Sequence, residues 1–265
     1  MSANTCISWQ GNLACLTNDG VAIKSRHTIN GKHVFGPDSD YTTLAISGLQ
    51  LLSDETTIES VKVEGDVSEF VLSACGYLID ESAKWTIVCN DDSSISISKG
   101  LPVIGSIEGE EIDPEMFQKM NEAWGLEMQE VSQGAFVSEQ NYRNSSSARM
   151  NLQSQLLDEM TIWPPRQMVG SRIPADSKPL SKTGRIDSWT KLAAGGAPSE
   201  FSIRAPILDG ISTVFVTLDS GPKGVFLLAD DEKTRPEIGM RVELVIRKIY
   251  AQEGLVRHGL KALIV

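Results

Sequence analysis

The sequence has no long apolar run, and it offers little from which a membrane anchor could be built. Its longest uninterrupted apolar stretches, such as residues 225–229 and 262–265, fall far short of the roughly 20 residues that a membrane-spanning helix needs. Residues 1–4 carry no basic region followed by an apolar core, so no secretory signal is visible. We therefore expect a cytoplasmic protein without a membrane span.

Cysteine and histidine are also scarce. The four cysteines (Cys6, Cys15, Cys75 and Cys89) include no C-x-x-C pair, and the three histidines are scattered along the chain. No zinc pattern can be written from this spacing, so we expect no bound metal. In a cytosolic protein all four cysteines are expected to be reduced thiols, with Cys75 and Cys89 buried as small hydrophobic side chains.

Cationic side chains are outnumbered, and the imbalance is unevenly distributed. The chain has 24 Lys and Arg against 35 Asp and Glu; residues 1–150 carry a net charge of −13, and residues 151–265 carry +2. An acidic half joined to a near-neutral half predicts two domains with different surfaces. The net charge of −11 and the 6% of aromatic residues argue against a nucleic-acid binder, which needs clustered cations and stacking rings.

The N-terminal half has the pattern of a small α/β domain. An Asn18-Asp19-Gly20 turn predicts a hairpin, and the later alternation of strands and helices indicates a parallel sheet unit. Residues 93–98 are predicted to form an edge strand. The predicted strands are 7–16, 20–25, 61–65 and 85–89, and the predicted helices are 41–52, 69–81 and 113–124.

The C-terminal part changes to an all-β pattern from residue 189. Five short strands separated by turn residues suggest a small closed barrel, because closure removes exposed strand edges. The polar stretch 132–150 is a candidate linker, and residues 148–160 are expected to form a further helix. The predicted barrel strands are 200–205, 213–218, 224–228, 241–250 and 257–264.

Five motifs follow one another in the C-terminal part. They are WPPR at 163–166, TGRIDSWT at 183–190, LDSGP at 218–222, IGMRV at 238–242 and GLVRHGLK at 254–261. In this order they resemble the family of thiolase-associated, acyl-CoA-associated proteins built from a zinc ribbon and an OB-fold. The resemblance implies a small non-catalytic subunit. Such a subunit docks on thiolases, HMG-CoA synthases or aldolases of side-chain degradation, and it helps to hold CoA thioesters.

The sequence departs from this family at the zinc site. Family members carry a C-x-x-C pair on each side of the Pro-Pro-Arg, and the corresponding positions here fall near Gln155, Asp158, Val169 and Arg172. None of the four offers a thiolate, so we expect no zinc. The resemblance then implies a degenerate zinc ribbon whose residues 167–182 are mobile or held by a partner.

The N-terminal half carries a second resemblance. The stretch FGPDSDYTTLA at residues 35–45 is similar to the acidic entry to a helix near the start of HMG-CoA-synthase-like and other thiolase-fold enzymes. It implies a truncated, inactive thiolase half over residues 1–110, because Cys75 lies too close before Asp91 to match the usual nucleophile. The alternative is an unrelated small α/β domain.

Three cationic residues are the candidate contacts to CoA or to a partner: Arg166, Arg257 and Lys261. A planar guanidinium suits bidentate contact with phosphate or carboxylate. Alternatively, Arg166 caps a helix end in a rigid turn, and Arg257 and Lys261 lie on a solvated barrel face. No catalytic residue is assigned, because His258 has no visible acid or nucleophile beside it.

These observations predict an α+β protein of two domains. Residues 1–112 form an α/β domain, 113–160 a helical connector, 161–190 a degenerate zinc ribbon and 191–265 an OB-fold. The expected function is a non-catalytic scaffold in lipid metabolism that docks on a thiolase-family or HMG-CoA-synthase-like enzyme and helps to bind or channel acyl-CoA. We expect no tightly bound cofactor, only a coenzyme A thioester shared with the partner. The alternative is an independent acyl-transfer enzyme using Cys75 or His258.

Overall fold

The chain folds into two compact units, residues 1–121 and 122–265. The computed structural model describes residues 5–53, 56–100, 108–130, 139–252 and 254–265. The N-terminal unit is mixed α/β and the C-terminal unit contains a closed five-stranded barrel, which confirms the predicted fold class. Among the described residues, no helix combines the length and the apolarity needed to cross a membrane.

A seven-stranded mixed sheet forms the centre of the N-terminal unit, in the order β1-β2-β3-β9-β8-β6-β7. Strand β6 runs parallel to β7 and β8, whereas β8 and β9 are antiparallel. The predicted parallel arrangement is therefore confirmed for β6, β7 and β8. The seven strands are β1 (Thr5–Trp9), β2 (Asn12–Thr17), β3 (Gly20–Ser25), β6 (Ser60–Glu64), β7 (Leu78–Ile79), β8 (Trp85–Asn90) and β9 (Ser94–Ser98).

Two strand predictions need correction. The predicted strand 7–16 is a hairpin, because Gln10 and Gly11 adopt positive φ angles of 50° and 74° and reverse the chain between β1 and β2. Strand β9 was expected at an edge, but it lies between β3 and β8 with all five residues buried. Its serines are small enough to be buried when they are hydrogen-bonded; Ser94, for example, accepts a bond from the Asn90 side chain at 3.2 Å.

Helix α1 (Tyr41–Ser53) confirms the prediction for residues 41–52 and packs on this sheet. Asp40 Oδ1 accepts the Thr43 N–H at 2.9 Å, so an acidic side chain caps the first turn. A Cβ atom on Gly48 would lie 2.7 Å from Ile97 Cδ1 and 2.9 Å from Ile23 Cγ1. Glycine at this position therefore lets the helix approach the sheet closely.

Helix α2 (Glu69–Ala74) is shorter than the predicted helix 69–81. Ser68 caps its start, where the side-chain oxygen accepts the Val71 N–H at 3.3 Å. The helix ends at Cys75 because Gly76 takes a φ of 97°, and the next residues join the sheet as β7.

The remaining elements before the barrel include those of residues 113–160, where a helical connector is predicted. Residues 139–150 form a helix, while 131–138 lie outside the described residues. The predicted helix 148–160 is wrong, since a helix ends at Met150 and strands follow it. These elements are β4 (His27–Ile29), β5 (Lys32–Val34), β10 (Glu110–Glu111), α3 (Pro114–Glu130), α4 (Glu139–Met150), β11 (Gln155–Leu157), β12 (Met160–Ile162) and β13 (Ala175–Asp176).

The barrel closes in the order β14-β15-β16-β18-β17. The first and fourth strands are antiparallel where the barrel closes, and the third and fifth are parallel. This five-stranded barrel fits the predicted OB-fold. Its strands are β14 (Thr183–Leu192), β15 (Ile211–Leu218), β16 (Lys223–Leu228), β17 (Arg241–Gln252) and β18 (Leu255–Ile264).

The first barrel strand is not the predicted one. Residues 200–205 form turns and part of the 3-10 helix Ser199–Phe201, and the first strand is β14 instead. Strand β14 is hard to find from its pattern, because the second half of the strand is largely exposed and polar. The barrel interior is filled by fully buried aliphatic side chains: Ile186, Val214, Val216, Leu218, Val242, Leu244, Ile246 and Ala262.

The cysteines differ from the prediction. Cys6 and Cys15 face each other across β1 and β2, with Cα atoms 4.2 Å apart, and form a disulfide. Cys75 and Cys89 form no disulfide, as expected, but they are only half-buried. The expectation of four reduced cysteines fails because hairpin register, which spacing does not reveal, brings Cys6 and Cys15 together.

Candidate functional site

The C-terminal unit carries a groove of about 360 Å³ on one side of its barrel. Strands β16, β17 and β18 form part of it, and helix α4 and the Trp163-Pro164 turn complete it. None of the described residues that line it is Asp or Glu. These are Tyr142, Arg149, Trp163, Pro164, Val225, Phe226, Leu227, Ile249, Tyr250, Arg257, His258, Gly259 and Leu260.

Trp163 forms an aromatic wall of the groove. Its indole stacks on Phe226 with ring centroids 6.4 Å apart, and its Nε1–H donates to the Ala148 carbonyl at 3.2 Å. A Cβ atom on Gly224 would lie 2.8 Å from the Phe226 ring and 3.1 Å from Trp163. The absence of a side chain at Gly224 therefore leaves room for both rings.

Tyr142, from α4, closes one end of the groove against β18. Its hydroxyl accepts the His258 N–H at 3.0 Å and donates to the His258 carbonyl at 3.3 Å. The Arg257 guanidinium lies over the Tyr142 ring, 4.9 Å from the centroid. Such a cation–π contact holds the guanidinium plane beside the groove.

The groove offers cations and polarisable rings to a ligand. Arg149 is exposed, whereas Arg257 is 1% exposed and His258 is 6% exposed. Burial raises the pKa of the Tyr250 hydroxyl, and the nearby Arg257 opposes that rise. An aromatic groove with cationic groups suits a ligand that is partly apolar and carries negative charge.

A buried ionic cluster lies elsewhere in the same unit. Arg204 Nε is 2.7 Å from Glu127 Oε1, Arg204 Nη1 is 2.9 Å from Asp230, and Lys261 Nζ is 2.5 Å from Asp230. The Arg204 guanidinium also lies 3.8 Å from the centroid of the Trp124 ring. Burial raises the pKa of the Glu127 carboxyl, although Arg204 acts in the opposite direction. These contacts fix α3 and the segment before β15 to the barrel.

The three cations predicted from the sequence are not brought together. Arg257 lines the groove, and Lys261 belongs to the ionic cluster. Arg166 is exposed, and its backbone N–H donates to Gln155 Oε1 at 2.8 Å. The alternative of a solvated face is wrong for Arg257 and Lys261, since each is 1% exposed. Sequence reasoning missed Arg149 and Tyr142, whose signal was only their spacing on a polar helix.

The positions that correspond to zinc ligands are occupied by a different set of contacts. Arg172 Nη1 pairs with Asp158 Oδ2 at 2.7 Å, and Val169 and Arg172 exchange backbone hydrogen bonds of 2.9 and 3.2 Å. These residues do not fit a zinc site, because the Asp158 carboxylate is already paired with the Arg172 guanidinium. Across the described ranges, no three His, Cys, Asp or Glu side chains converge as a metal site would require.

The candidate nucleophiles lack an activating environment. Cys75 caps the C-terminal end of α2, whereas a helix N-terminus is the end that favours a thiolate. Burial raises the pKa of the Cys89 thiol to about 11, which keeps it protonated at neutral pH. The described part of the groove lining contains no cysteine or serine that could act as a nucleophile beside His258.

Comparisons with known proteins return little. No protein-family model matches the chain, and no curated protein matches it. Among solved structures, it is similar to a chain named "Ltp2-ChsH2(DUF35) aldolase", with 17% identity and a TM-score of 0.32 over 45% of this chain and 89% of that chain.

Proposed function

We propose that this protein is a non-catalytic accessory subunit that binds an acyl-CoA in the barrel groove and docks on a thiolase-family or HMG-CoA-synthase-like enzyme. The observation that carries the proposal is the lining of the groove, where four aromatic side chains meet Arg149, Arg257 and His258 and none of the described lining residues is Asp or Glu. An acyl-CoA offers an apolar chain to such rings and phosphates to such cations.

The charge distribution supports this placement. The chain as a whole is strongly acidic, but residues 151–265 carry a net +2, so phosphates meet less repulsion near the barrel. Arg149 and Arg257 are the proposed CoA contacts. Lys261 would act indirectly, because Asp230 holds its ammonium group in the buried cluster.

An exposed apolar pair at the rim of the groove supports docking of a partner. Val225 and Phe215 face each other across β16 and β15, and they are 69% and 37% exposed. Because Val225 also lines the groove, a partner covering this pair would cover the ligand as well. Arg166, exposed on the preceding segment, is the proposed contact to a partner carboxylate.

The proposed lack of catalysis follows from the candidate nucleophiles. Cys75 lies at the helix C-terminus, the end that disfavours a thiolate, and the described residues that line the groove with His258 include no cysteine or serine to act as a nucleophile. The competing function, an independent acyl-transfer enzyme using Cys75 or His258, requires turnover of a CoA thioester by the protein alone.

Calorimetric titration of the full chain with acyl-CoAs of increasing chain length tests the proposal. We expect R149Q to weaken binding about tenfold or more, because a charge-assisted contact is lost. R143Q is the matched control, since Arg143 lies on the same helix but does not line the groove. Absence of acyl-CoA binding would refute the proposal, as would thioester turnover that is abolished in C75A.

A further inference from the structure

Strands β16 and β18 separate along the groove and leave an open seam in the barrel. They pair in parallel at only two positions, Leu227 with Lys261 and Leu228 with Ala262. Upstream of these pairs, β16 continues through Phe226 and Val225 without a β18 partner, and the groove occupies the gap. The barrel is therefore closed at one end of this seam and open at the other.

Backbone polar groups of β16 point into the open part of the seam. Ala229 N–H donates to the Ala262 carbonyl at 3.0 Å, so the backbone of Ala229 faces β18. Backbone groups of alternate residues along a strand face the same side, which directs the N–H and C=O of Val225 toward the groove. The backbone N–H and C=O of the neighbouring Phe226 point the other way, toward its β15 partner Val214.

On the β18 side of the seam, the backbone N–H and carbonyl of His258 already have a hydrogen-bonding partner. The Tyr142 hydroxyl bonds both the N–H and the carbonyl of His258, the β18 residue that borders the groove. A chain entering the seam thus finds a hydrogen-bonding partner on β16, an aromatic wall at Trp163 and an exposed guanidinium at Arg149. The matching ligand is extended, contains secondary amides and carries an anion.

We infer that the seam binds the 4′-phosphopantetheine arm of the acyl-CoA as an added strand. An amide of the arm pairs with the Val225 backbone, and the arm's phosphate is bound by Arg149. The groove volume of about 360 Å³ favours the arm over the whole nucleotide, because it lies at the lower end of the ~300–1,000 Å³ typical of ligand pockets. This inference rests on the proposed function, and it specifies which part of the ligand is recognised.

Fragments of the ligand separate the inference from the proposed function. In calorimetric titrations of the full chain, we expect acyl-4′-phosphopantetheine to keep affinity within about tenfold of acyl-CoA, while adenosine 3′,5′-bisphosphate does not compete. Removing the arm's phosphate should weaken binding to the wild type but leave binding to R149Q unchanged. If the bisphosphate competes with acyl-CoA and acyl-4′-phosphopantetheine does not bind, the inference is wrong, but the proposed function still holds. If acyl-CoA does not bind at all, both fail.

Hydrogen exchange tests the backbone contact directly. The Val225 amide should exchange rapidly in the free protein and slowly with bound acyl-4′-phosphopantetheine, whereas the Phe226 amide should be protected in both states. V225P, which removes the N–H, should weaken binding far more than V225A, which keeps it. An arm analogue with N-methylated amides tests the same hydrogen bond on the wild-type protein and should bind more weakly than the unmodified arm. This test does not depend on whether V225P folds. Unchanged Val225 exchange with the ligand bound would refute the added strand, and protection by a partner protein alone would assign the seam to an extended peptide.

Discussion

Removing Arg204 should destabilise the C-terminal unit far more than removing an exposed arginine. Arg204 is 1% exposed, and its guanidinium bonds Glu127, Asp230 and the Ile249 carbonyl at 2.7, 2.9 and 2.6 Å. Breaking a buried ion pair from one side costs roughly 3–5 kcal/mol. Glu127 can take up a proton once Arg204 is gone, which places the expected cost of R204A near the lower end, at about 3 kcal/mol.

The matched control is R241A. Arg241 forms a two-pronged contact with Asp219 at 2.8 and 2.9 Å, but the two side chains are 38% and 40% exposed. An exposed pair of this kind contributes at most about 1 kcal/mol. Urea unfolding followed by amide hydrogen exchange in peptides from β17 and β18 reports the barrel separately from the N-terminal unit. Equal shifts for R204A and R241A would refute the reasoning.

The same cluster predicts the direction of a pH effect. Burial raises the pKa of the Glu127 carboxyl above its ordinary value of 4.5. A raised pKa in the folded state stabilises the fold while the group is protonated, and this contribution is lost as pH rises through the folded pKa. The free energy of unfolding of the wild type should therefore fall relative to E127Q as pH rises above about 4.5. A difference between the two proteins that does not change with pH would contradict this assignment.

Three further substitutions test the fold at separate points. C6S should lower the free energy of unfolding by about 2.7 kcal/mol in the chain-entropy model. Dithiothreitol should lower it by the same amount in the wild type and leave it unchanged in C6S. An effect of the reductant on C6S would contradict the disulfide. G48A should cost about 1–3 kcal/mol by overpacking, whereas G125A, in a helix with open space around it, should stabilise by about 0.5–1 kcal/mol; equal effects in urea unfolding would contradict the close helix–sheet approach. Because Arg172 pairs with Asp158, elemental analysis should find no stoichiometric zinc, and D158A should cost less than about 1 kcal/mol; one zinc per chain would contradict this.

Local signals determined a large part of the secondary structure. The Asn18-Asp19 turn and the apolar strands 213–218 and 241–250 were found because each signal lies within a few residues of the element that it specifies. The five-stranded barrel could be predicted for the same reason. Elements without such signals were missed, notably the polar strand β14 and the polar helix α4.

The candidate site depended on the tertiary structure. Tyr142, Trp163, Val225 and His258 meet at one groove although they are spread over more than a hundred residues, and no sequence period links them. Arg257 and Lys261 look equivalent in the sequence, being four residues apart in one strand. Only the packing shows that one contacts a tyrosine ring beside the groove and the other a buried aspartate.

The sequence by itself therefore determined the fold class and the barrel, because composition and local periodicity carry that information. Tertiary structure alone decided that Cys6 pairs with Cys15 and that Arg172 pairs with Asp158. It also decided that β16 and β18 separate beside Tyr142. These features follow from strand register and from contacts between distant segments, which no local pattern encodes.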